Sequence, residues 1–260
     1  MTDDWTQVWR GARVCASRSV GRGARLLEVE LPDALPFPYQ PGHVVVLREG
    51  GHRHPYTVCA ADPARRVLSF LFRVVPGGRL TPTLATVAPG HPLELNGLHH
   101  TPILGDLAPA ATAVVGLATG SGIGPLWGFA AQALAQGFTR PITLFAGCRE
   151  EGDLCLGPEL DALQAAHPTF RWHPTLTQPG PAWTGLRGRV GESAPPLIPA
   201  PLGCHYHLVG NGGMLVELKA ALRLVGVPEA QVTSEVFFNF NAEADPERVR
   251  AIAARFGTFR

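Results

Sequence analysis

The sequence predicts a two-domain fold, in which an antiparallel β-barrel precedes an α/β domain with a parallel sheet. Up to about residue 105, short β-rich runs are separated by glycine and proline, a pattern typical of antiparallel barrels and sandwiches. From residue 110 onward, strands alternate with helical segments, which indicates a parallel sheet wound with helices. We therefore expect domains at 1–106 and 107–240, with a helical tail at 241–260.

The first domain should contain several short strands joined by tight turns. Its β-prone runs lie at 25–31, 43–47, 67–75 and 92–95. The loop at 105–109 then separates it from the second domain.

The second domain should repeat the order strand, then helix. We expect strands at 113–117, 142–146 and 206–209, and helices after Pro125, at 158–166 and at 214–225. In such sheets, ligands bind at the carboxyl ends of the strands. The proline-rich stretch at 195–201 is interpreted as a surface loop. Asp245 and Pro246 are a cap residue and a first-turn proline, so a terminal helix should follow them.

Composition excludes several function classes. The chain has 260 residues, and its 22 basic and 21 acidic residues nearly cancel, which gives no electrostatic reason to expect nucleic acid or an anionic membrane as a partner. The start, Met1-Thr2-Asp3-Asp4-Trp5, lacks the features of a signal peptide, and no apolar run is long enough to cross a bilayer. We expect a soluble cytoplasmic protein.

The cysteines and histidines predict no metal site. The five cysteines are scattered without a C-x-x-C pair, so they indicate neither a zinc site nor an iron–sulfur centre. The ten histidines lack the helical i, i+4 spacing of paired ligands. Any redox chemistry should therefore depend on an organic cofactor.

A glycine-rich turn follows the first strand of the second domain. The stretch 114–125 reads VVGLATGSGIGP, an apolar strand, a G-x-G-x-G turn and the start of a helix. Glycine lets the backbone approach a pyrophosphate closely, and the N–H groups of a helix start attract its charge. A nucleotide site and a plain structural turn both fit this motif when it is taken alone.

Further segments occur in a fixed order and resemble motifs of the ferredoxin–NADP reductase superfamily. Their sequences are most similar to those of its bacterial ferredoxin/flavodoxin reductases. The matching segments are His54-Pro55-Tyr56-Thr57, Gly78-Arg79-Leu80-Thr81, the turn at 118–125, Gly147-Cys148-Arg149, Gly210-Asn211-Gly212-Gly213-Met214 and Ser234-Glu235-Val236-Phe237. The resemblance implies that FAD is held by the first domain and NADH or NADPH by the second.

The resemblance also implies which residues form the site. Cofactor contacts are expected at His54, Pro55, Tyr56, Thr57, Gly78, Leu80, Thr81, Thr119, Gly120, Gly122, Ile123, Gly124, Pro125, Arg149, Gly210, Asn211, Met214 and Phe237.

Four of the matched residues have an assigned role and a plainer alternative. Tyr56 would lie against the isoalloxazine ring, and the Thr57 hydroxyl would lie near the hydride-accepting flavin nitrogen, although a Tyr-Thr pair also suits the start of a strand. Glu235 would relay protons or set the geometry of the nicotinamide, unless it is a solvated charge at a strand end. Phe237 would cover the flavin, unless it is a core phenylalanine. Thr57 and Glu235 are the expected catalytic residues.

Two departures from the family pattern bear on the choice and binding of the cofactors. His54 stands where arginine is usual, and because histidine titrates near neutrality, we expect looser FAD binding above neutral pH. The segment 176–179 reads LTQP where relatives that choose NADPH carry Ser-Arg. Two absent charge-assisted bonds would cost about 3 kcal/mol of NADPH preference, which favours NADH with Arg149 as a remaining contact.

The sequence therefore predicts a flavoenzyme that takes hydride from NAD(P)H and passes electrons to a separate protein. The expected acceptor is a ferredoxin, a flavodoxin or an oxygenase component. Two alternatives stay open: a reductase of free flavin, which weak anchoring at His54 would suit, and a non-catalytic subunit of a larger redox complex.

Overall fold

The computed structural model describes residues 8–33, 36–100 and 102–257, so the N-terminal pentapeptide Met1-Thr2-Asp3-Asp4-Trp5 lies outside the described residues. The chain divides into two compact units. The first runs to Gly105 and adds the helical segment Gly124–Ala133, and the second holds Asp106–Ile123 and the chain from Leu134 onward.

The first unit is a seven-stranded antiparallel sheet with one short helix. Its elements are β1 (Arg10–Gly21), β2 (Ala24–Glu30), β3 (Val44–Glu49), β4 (His52–Thr57), β5 (Ala60–Asp62), β6 (Val67–Arg73), α1 (Thr81–Thr86) and β7 (Pro92–His99). The strand order is β4-β3-β7-β1-β2-β6-β5. Among the described strands no pairing joins β4 to β5, so this sheet of the expected barrel type is not closed by hydrogen bonds.

Apolar side chains on the inner face of the sheet form one core. Leu27 and Val29 alternate with more exposed residues along β2, and they pack with Leu47, Phe70 and Leu95 from other strands. Each of these side chains is almost completely buried. A period of two places them on one face, and the loss of their apolar surface from water stabilises the unit.

Ten residues of the helix after the glycine turn, Gly124–Ala133, pack within the first unit. This helix, α2 (Ile123–Ala135), carries Gly124 and Gly128 on one face. A Cβ at Gly124 would lie 2.6 Å from the Cys59 Sγ, and a Cβ at Gly128 would overlap the Cys59 carbonyl oxygen. The two glycines thus allow the helix backbone to touch the chain just after β4.

The second unit contains a six-stranded parallel sheet flanked by helices. Its remaining elements are β8 (Ala113–Thr119), β9 (Ile142–Cys148), α3 (Gly157–Ala166), β10 (Phe170–Leu176), β11 (Leu186–Arg187), α4 (Val190–Ser193), β12 (Cys204–Asn211), α5 (Gly212–Val225), β13 (Val232–Phe238) and α6 (Pro246–Ala253). The strand order is β11-β10-β9-β8-β12-β13, and all the pairings are parallel. The predicted fold class is confirmed.

The inner strands β8 and β12 of the second unit are buried continuously, without alternation of buried and exposed residues, because both faces of the sheet are covered. Seven consecutive residues of β12, from Cys204 to Gly210, are buried, as expected for a strand covered on both faces. Tyr206 and Leu208 pack against α5, which also contacts α6.

The C-terminal helix α6 packs on this unit. Asp245 caps its N-terminus by accepting hydrogen bonds from the Glu247 and Arg248 N–H groups. The Arg248 guanidinium pairs with the buried Glu217 carboxylate of α5 at 3.1 Å. The predicted terminal helix is therefore present, although it ends at Ala253.

The proline-rich stretch differs from the expected surface loop. It forms two short 3-10 turns, Pro195–Leu197 and Pro201–Gly203. Pro195 is buried, and Ile198 is only 2% exposed, because its side chain joins the core under α5. The apolar residues between the prolines explain why this connection packs inward.

Candidate functional site

The order of strands in the second unit places two glycine turns side by side. From β8 the chain moves to β9 and β10 on one side, and it later returns to β12 on the other side of β8. The strand order thus reverses between β8 and β12. In open parallel sheets, a crevice for ligands forms at such a switch point, beyond the carboxyl ends of the strands.

The turns after β8 and β12 are in direct contact. The Asn211 N–H donates to the Thr119 hydroxyl at 2.8 Å. Gly210 has a φ of +124°, and a Cβ there would overlap the Thr119 Oγ1. A Cβ at Gly122 would lie 2.7 Å from the Val209 carbonyl oxygen. Only glycine fits these positions, and backbone therefore forms the surface where the turns meet.

The start of α5 is capped from within the second turn. The Asn211 side-chain oxygen accepts from the Gly213 N–H at 2.7 Å and from the Met214 N–H at 3.4 Å. A Cβ at Gly212 would overlap the Asn239 carbonyl oxygen. The segment after β13 therefore lies against the start of α5. No local sequence pattern predicts this contact, because it joins distant residues.

Strand β13 brings two of the predicted residues next to these turns. Glu235 is paired in register with Val209, and Val236 with Gly210. The register then shifts so that Asn211 pairs with Phe238, which leaves Phe237 as the extra residue of a bulge. Such bulges redirect side chains and are frequent beside active sites. Glu235 and Phe237 are both partly exposed.

The carboxyl ends of β9 and β10 are tied together by hydrogen bonds. The Thr177 N–H donates to the Cys148 carbonyl at 3.1 Å, and the Gln178 N–H donates to the Arg149 carbonyl at 2.8 Å. The Glu151 carboxylate accepts from the Gly180 N–H at 2.8 Å. Arg149 and Glu151 are exposed, so this edge presents one cation and one anion to solvent.

Glu151 is a residue that the sequence did not single out. Its carboxylate reaches a loop that lies 29 residues further along the chain. No local pattern signals such a contact.

The predicted flavin segment of the first unit forms β4. Tyr56 is 9% exposed, and its ring meets those of Phe70 and Phe72 edge to face, with centroids 6.4 Å and 6.0 Å apart. Burial raises the pKa of its hydroxyl. Thr57 is buried as well, whereas His54 and Pro55 are exposed. The aromatic neighbours hold the Tyr56 ring in a fixed orientation.

The predicted pyrophosphate turn of the first unit is also well defined. The Thr81 hydroxyl accepts from the Val75 N–H at 3.0 Å, and the Gly78 N–H donates to the Val75 carbonyl at 2.9 Å. Leu80 is 6% exposed. The turn that precedes α1 is thus closed by its own backbone and the Thr81 side chain.

Three of the predicted contact residues pack against other parts of the protein. Ile123 is 1% exposed, Pro125 is buried, and Gly124 lies against Cys59 in the first unit. The start of the helix after the glycine turn therefore also contributes to packing. In the second unit, the predicted residues that lie together are Thr119, Gly120, Gly122, Gly210, Asn211 and Met214.

No group of three His, Cys, Asp or Glu side chains in the described ranges is arranged to hold a metal ion. Within the same ranges, no helix combines the length and the apolar character that a membrane span needs.

Known proteins with similar sequences include reductases that use a nicotinamide nucleotide. Residues 117–216 match the model of the oxidoreductase NAD-binding domain. The chain is 29% identical over 228 residues to the ferredoxin–NAD(P)(+) reductase component of the naphthalene 1,2-dioxygenase system of Pseudomonas putida, covering 86% of this chain and 68% of that protein. It is 28% identical over 238 residues to ferredoxin–NADP reductase B of Sorangium cellulosum, covering 86% of this chain and 96% of that protein.

A solved structure shows the same architecture along most of the chain. The cytochrome P450 reductase of Amycolatopsis superposes with a TM-score of 0.77 at 26% identity, covering 89% of this chain and 71% of the other. The chain is similar to ferredoxin–NAD(P) reductases along most of its length. The predictions of a flavin-dependent oxidoreductase and of FAD with a nicotinamide nucleotide as cofactors are confirmed.

Proposed function

We propose that this protein transfers electrons from NADH through FAD to a separate redox protein. The observation that carries the nucleotide half is the contact between the Thr119–Gly122 turn and the Gly210–Asn211 turn at the switch point of the sheet. The N–H groups at a helix start attract phosphate, and the turns that meet here do so through backbone. The acceptor is expected to be a ferredoxin, a flavodoxin or an oxygenase component.

We assign FAD to the first unit and the nicotinamide nucleotide to the second. The proposed domain limits are 1–106 for FAD, 107–240 for the nucleotide and 241–260 for the tail. Bound FAD supplies a two-electron acceptor that can release its electrons one at a time. The relatives named above are reductase components and reductases that act with ferredoxin, which supports a protein acceptor.

The residues of the first unit fit a flavin. The edge-on packing of Tyr56 leaves a rigid aromatic ring, which stacks on a planar ligand at low entropic cost. The Thr57 hydroxyl would donate to or accept from the flavin ring, and the Gly78–Thr81 turn together with His54 would hold the pyrophosphate. Because His54 is exposed, its imidazole is available to an anionic group.

Glu235 and Phe237 are proposed to act at the nicotinamide. Glu235 would orient the nicotinamide or hold a proton beside it, since its register position adjoins the Gly210 turn. Phe237 would cover the flavin and move aside for the nicotinamide. The bulge at Phe237 supports this role because an unpaired residue can change its conformation without breaking a ladder hydrogen bond.

The preference for NADH is supported by charge at the carboxyl ends of β9 and β10. Thr177 and Gln178 provide no cation for a 2′-phosphate. The Glu151 carboxylate is fixed by Gly180 beside them, and it would repel a phosphate while accepting hydrogen bonds from ribose hydroxyls. Arg149 remains as one cation for the nucleotide.

The test of the proposed function is the visible spectrum of the purified full chain, followed by titration with NADH and NADPH. Bound flavin that NADH bleaches, with electrons then passing to a ferredoxin, is the expected result. Colourless protein that oxidises NADH only when free flavin is added would favour a free-flavin reductase, the second candidate, which His54 in place of arginine suggests. Protein that binds no flavin and oxidises neither nucleotide would overturn both.

Glu151→Gln tests the nucleotide preference. We expect wild type to have a higher kcat/KM with NADH than with NADPH, and the variant to lose about tenfold of that ratio, because one fixed charge near a phosphate is worth about 1.4 kcal/mol. Glu229→Gln, an exposed change in the turn before β13, is the matched control and should leave the ratio unchanged. A wild-type preference for NADPH would contradict the assignment.

A further inference from the structure

Two cysteine thiols at the end of β9 share one hydrogen-bond acceptor. The Cys148 Sγ donates to the Asp153 carbonyl oxygen at 3.4 Å, and the Cys155 Sγ donates to the same oxygen at 3.6 Å. A carbonyl oxygen has two lone pairs and can accept both thiols. The two sulfur atoms therefore lie at most about 7 Å apart.

The segment between the two cysteines is a compact, internally bonded loop. The Glu150 N–H donates to the Asp153 carboxylate at 3.3 Å, and the Glu150 side chain in turn caps the turn at Glu151–Asp153. Leu156, the residue after Cys155, has a φ of +58°. This left-handed conformation strains a leucine, and such strain is frequent in segments that change conformation.

The two thiols differ in access to solvent. Cys148 is partly exposed, whereas Cys155 is 4% exposed. An oxidant from solvent therefore meets Cys148 first, and Cys155 is positioned to react with the product. Redox-sensitive cysteine pairs in general have this arrangement: the accessible thiol is oxidised first, and the nearby thiol then reacts with it to form a disulfide.

We propose that Cys148 and Cys155 form an intramolecular disulfide when the protein meets a hydroperoxide, and that this bond weakens nucleotide binding at the adjacent Arg149 edge. The disulfide itself is independent of the proposed function, while the effect on nucleotide binding rests on it. Cys148, Arg149 and Glu151 are consecutive or nearly so, so a shift of the loop moves the groups assigned to the nucleotide.

The chemistry balances with hydrogen peroxide as the oxidant. The Cys148 sulfur attacks one peroxide oxygen, so that an S–O bond forms, the O–O bond breaks, and the departing hydroxide takes the thiol proton to give water. The Cys155 sulfur then attacks the Cys148 sulfenic acid, so that an S–S bond forms and the S–O bond breaks, releasing a second water. Two thiols lose two electrons in total, and one peroxide becomes two waters.

A disulfide would change the loop because the bonded sulfurs must approach to about 2 Å. Both hydrogen bonds to the Asp153 carbonyl would be lost. The backbones of Cys148 and Arg149 are fixed by the Thr177 and Gln178 N–H groups, so the displacement falls on Glu150–Leu154, which include Glu151.

Peptide mapping of the full chain tests the disulfide. The protein is treated with a small excess of hydrogen peroxide, its free thiols are alkylated, and it is digested with trypsin, which cuts after Arg149 between the two cysteines. We expect two tryptic peptides joined by a reducible bond and two fewer alkylated thiols than the five of the reduced chain. Cys148→Ala and Cys155→Ala should each abolish the linked species, whereas Cys15→Ala should retain it.

The outcomes separate the disulfide from the nucleotide effect. Five alkylated thiols after peroxide, or a link from Cys148 to any cysteine other than Cys155, would overturn the disulfide. Oxidised wild type should bind NADH with a Kd raised about threefold or more over the reduced protein, a change that peroxide-treated Cys155→Ala should not show. An unchanged Kd with the bond formed would overturn the effect on binding. If reduced protein binds neither nucleotide, the proposed function fails while the peptide map still decides the disulfide.

Discussion

His54 is the residue at which this chain departs most clearly from the flavin motif that it resembles. It lies exposed on β4, and its Nδ1 is 2.9 Å from the Pro55 carbonyl oxygen. Arginine at this position would carry a permanent charge and a fork of donors for a pyrophosphate. A histidine offers fewer donors, and it carries its charge only when protonated.

Substitution of His54 by arginine tests this difference. His54→Arg should lower the Kd for FAD about tenfold at pH 8, because a charge-assisted hydrogen bond contributes roughly 1.5 kcal/mol or more. Flavin retention after ultrafiltration, at about pH 6 and about pH 8, measures this difference in affinity. Wild type should lose more FAD at the higher pH.

The matched control for that change lies on the same strand. His52→Arg adds the same side chain two residues away, on the same face of β4 and equally exposed, and it should leave FAD retention unchanged. Equal retention by wild type at both pH values, or an identical gain from His52→Arg, would contradict the role of His54.

The glycines in and before helix α2 allow two different close contacts. The glycine turn at Gly120–Gly122 contacts the β12 end within the second unit, and Gly124 and Gly128 of the helix contact Cys59 within the first. The sequence identified the turn from its glycines, but it gave no reason for Gly128, which lies inside a helix where glycine is unfavourable. The contact with the Cys59 backbone supplies that reason.

Gly128→Ala should destabilise the protein severely. The added Cβ would overlap a backbone carbonyl oxygen that cannot rotate away, so the helix must shift from its seat. We expect the free energy of unfolding to fall by about 3 kcal/mol or more, measured by urea unfolding. Gly157→Ala in the first turn of α3 is the control: a Cβ there meets nothing within 4 Å, and the change should be neutral or slightly stabilising. A Gly128→Ala variant as stable as wild type would show that the contact is not close.

The stability of the whole molecule should depend on pH through two buried histidines of β12. The Thr233 hydroxyl lies 2.7 Å from the His207 Nδ1 and 3.0 Å from the His205 Nε2. The His205 Nδ1 accepts from the Ala108 N–H, so His205 is neutral in this arrangement and donates from Nε2. Burial and the neighbouring His205 lower the pKa of His207 to about 3, and burial also lowers the pKa of His205.

Acid should therefore destabilise the fold before the carboxylates titrate. Since the folded pKa of His207 lies below the ordinary value of about 6.5, the unfolded chain binds more protons below that pH. The contribution to stability is complete above about pH 6.5 and declines as the pH falls toward 3, by up to about 1.4 kcal/mol per pH unit and per histidine.

Urea unfolding at several pH values between 7.5 and 5 measures this slope. His207→Gln should reduce it, because glutamine keeps a polar group near Thr233 but binds no proton. His167→Gln, a change at the less buried end of α3, should leave the slope as in wild type. A wild-type free energy of unfolding that is flat over this range would contradict the neutral state of the pair.

The sequence by itself determined the two-part order, short strands followed by strand–helix units, but it did not predict the strands β1, β5, β10 and β11. Alternation of period two, the strand-then-helix pattern, the cap at Asp245 and the glycine positions are local properties, and each appears in the structure where the residues indicate it. The ordered motifs also led to the family. Boundaries shifted by a few residues, since strand ends depend on pairing with distant partners.

Only the tertiary structure decided which residues meet. The contact of Thr119 with Asn211, the bulge at Phe237 and the hold of Glu151 on Gly180 all join segments far apart in sequence. The shared acceptor of Cys148 and Cys155 depends on a turn whose residues carry no motif of their own. The physical reason is the same in each case: backbone propensity and periodicity act over a few residues, whereas the distance between two side chains is set by the sheet order and by packing of the whole unit.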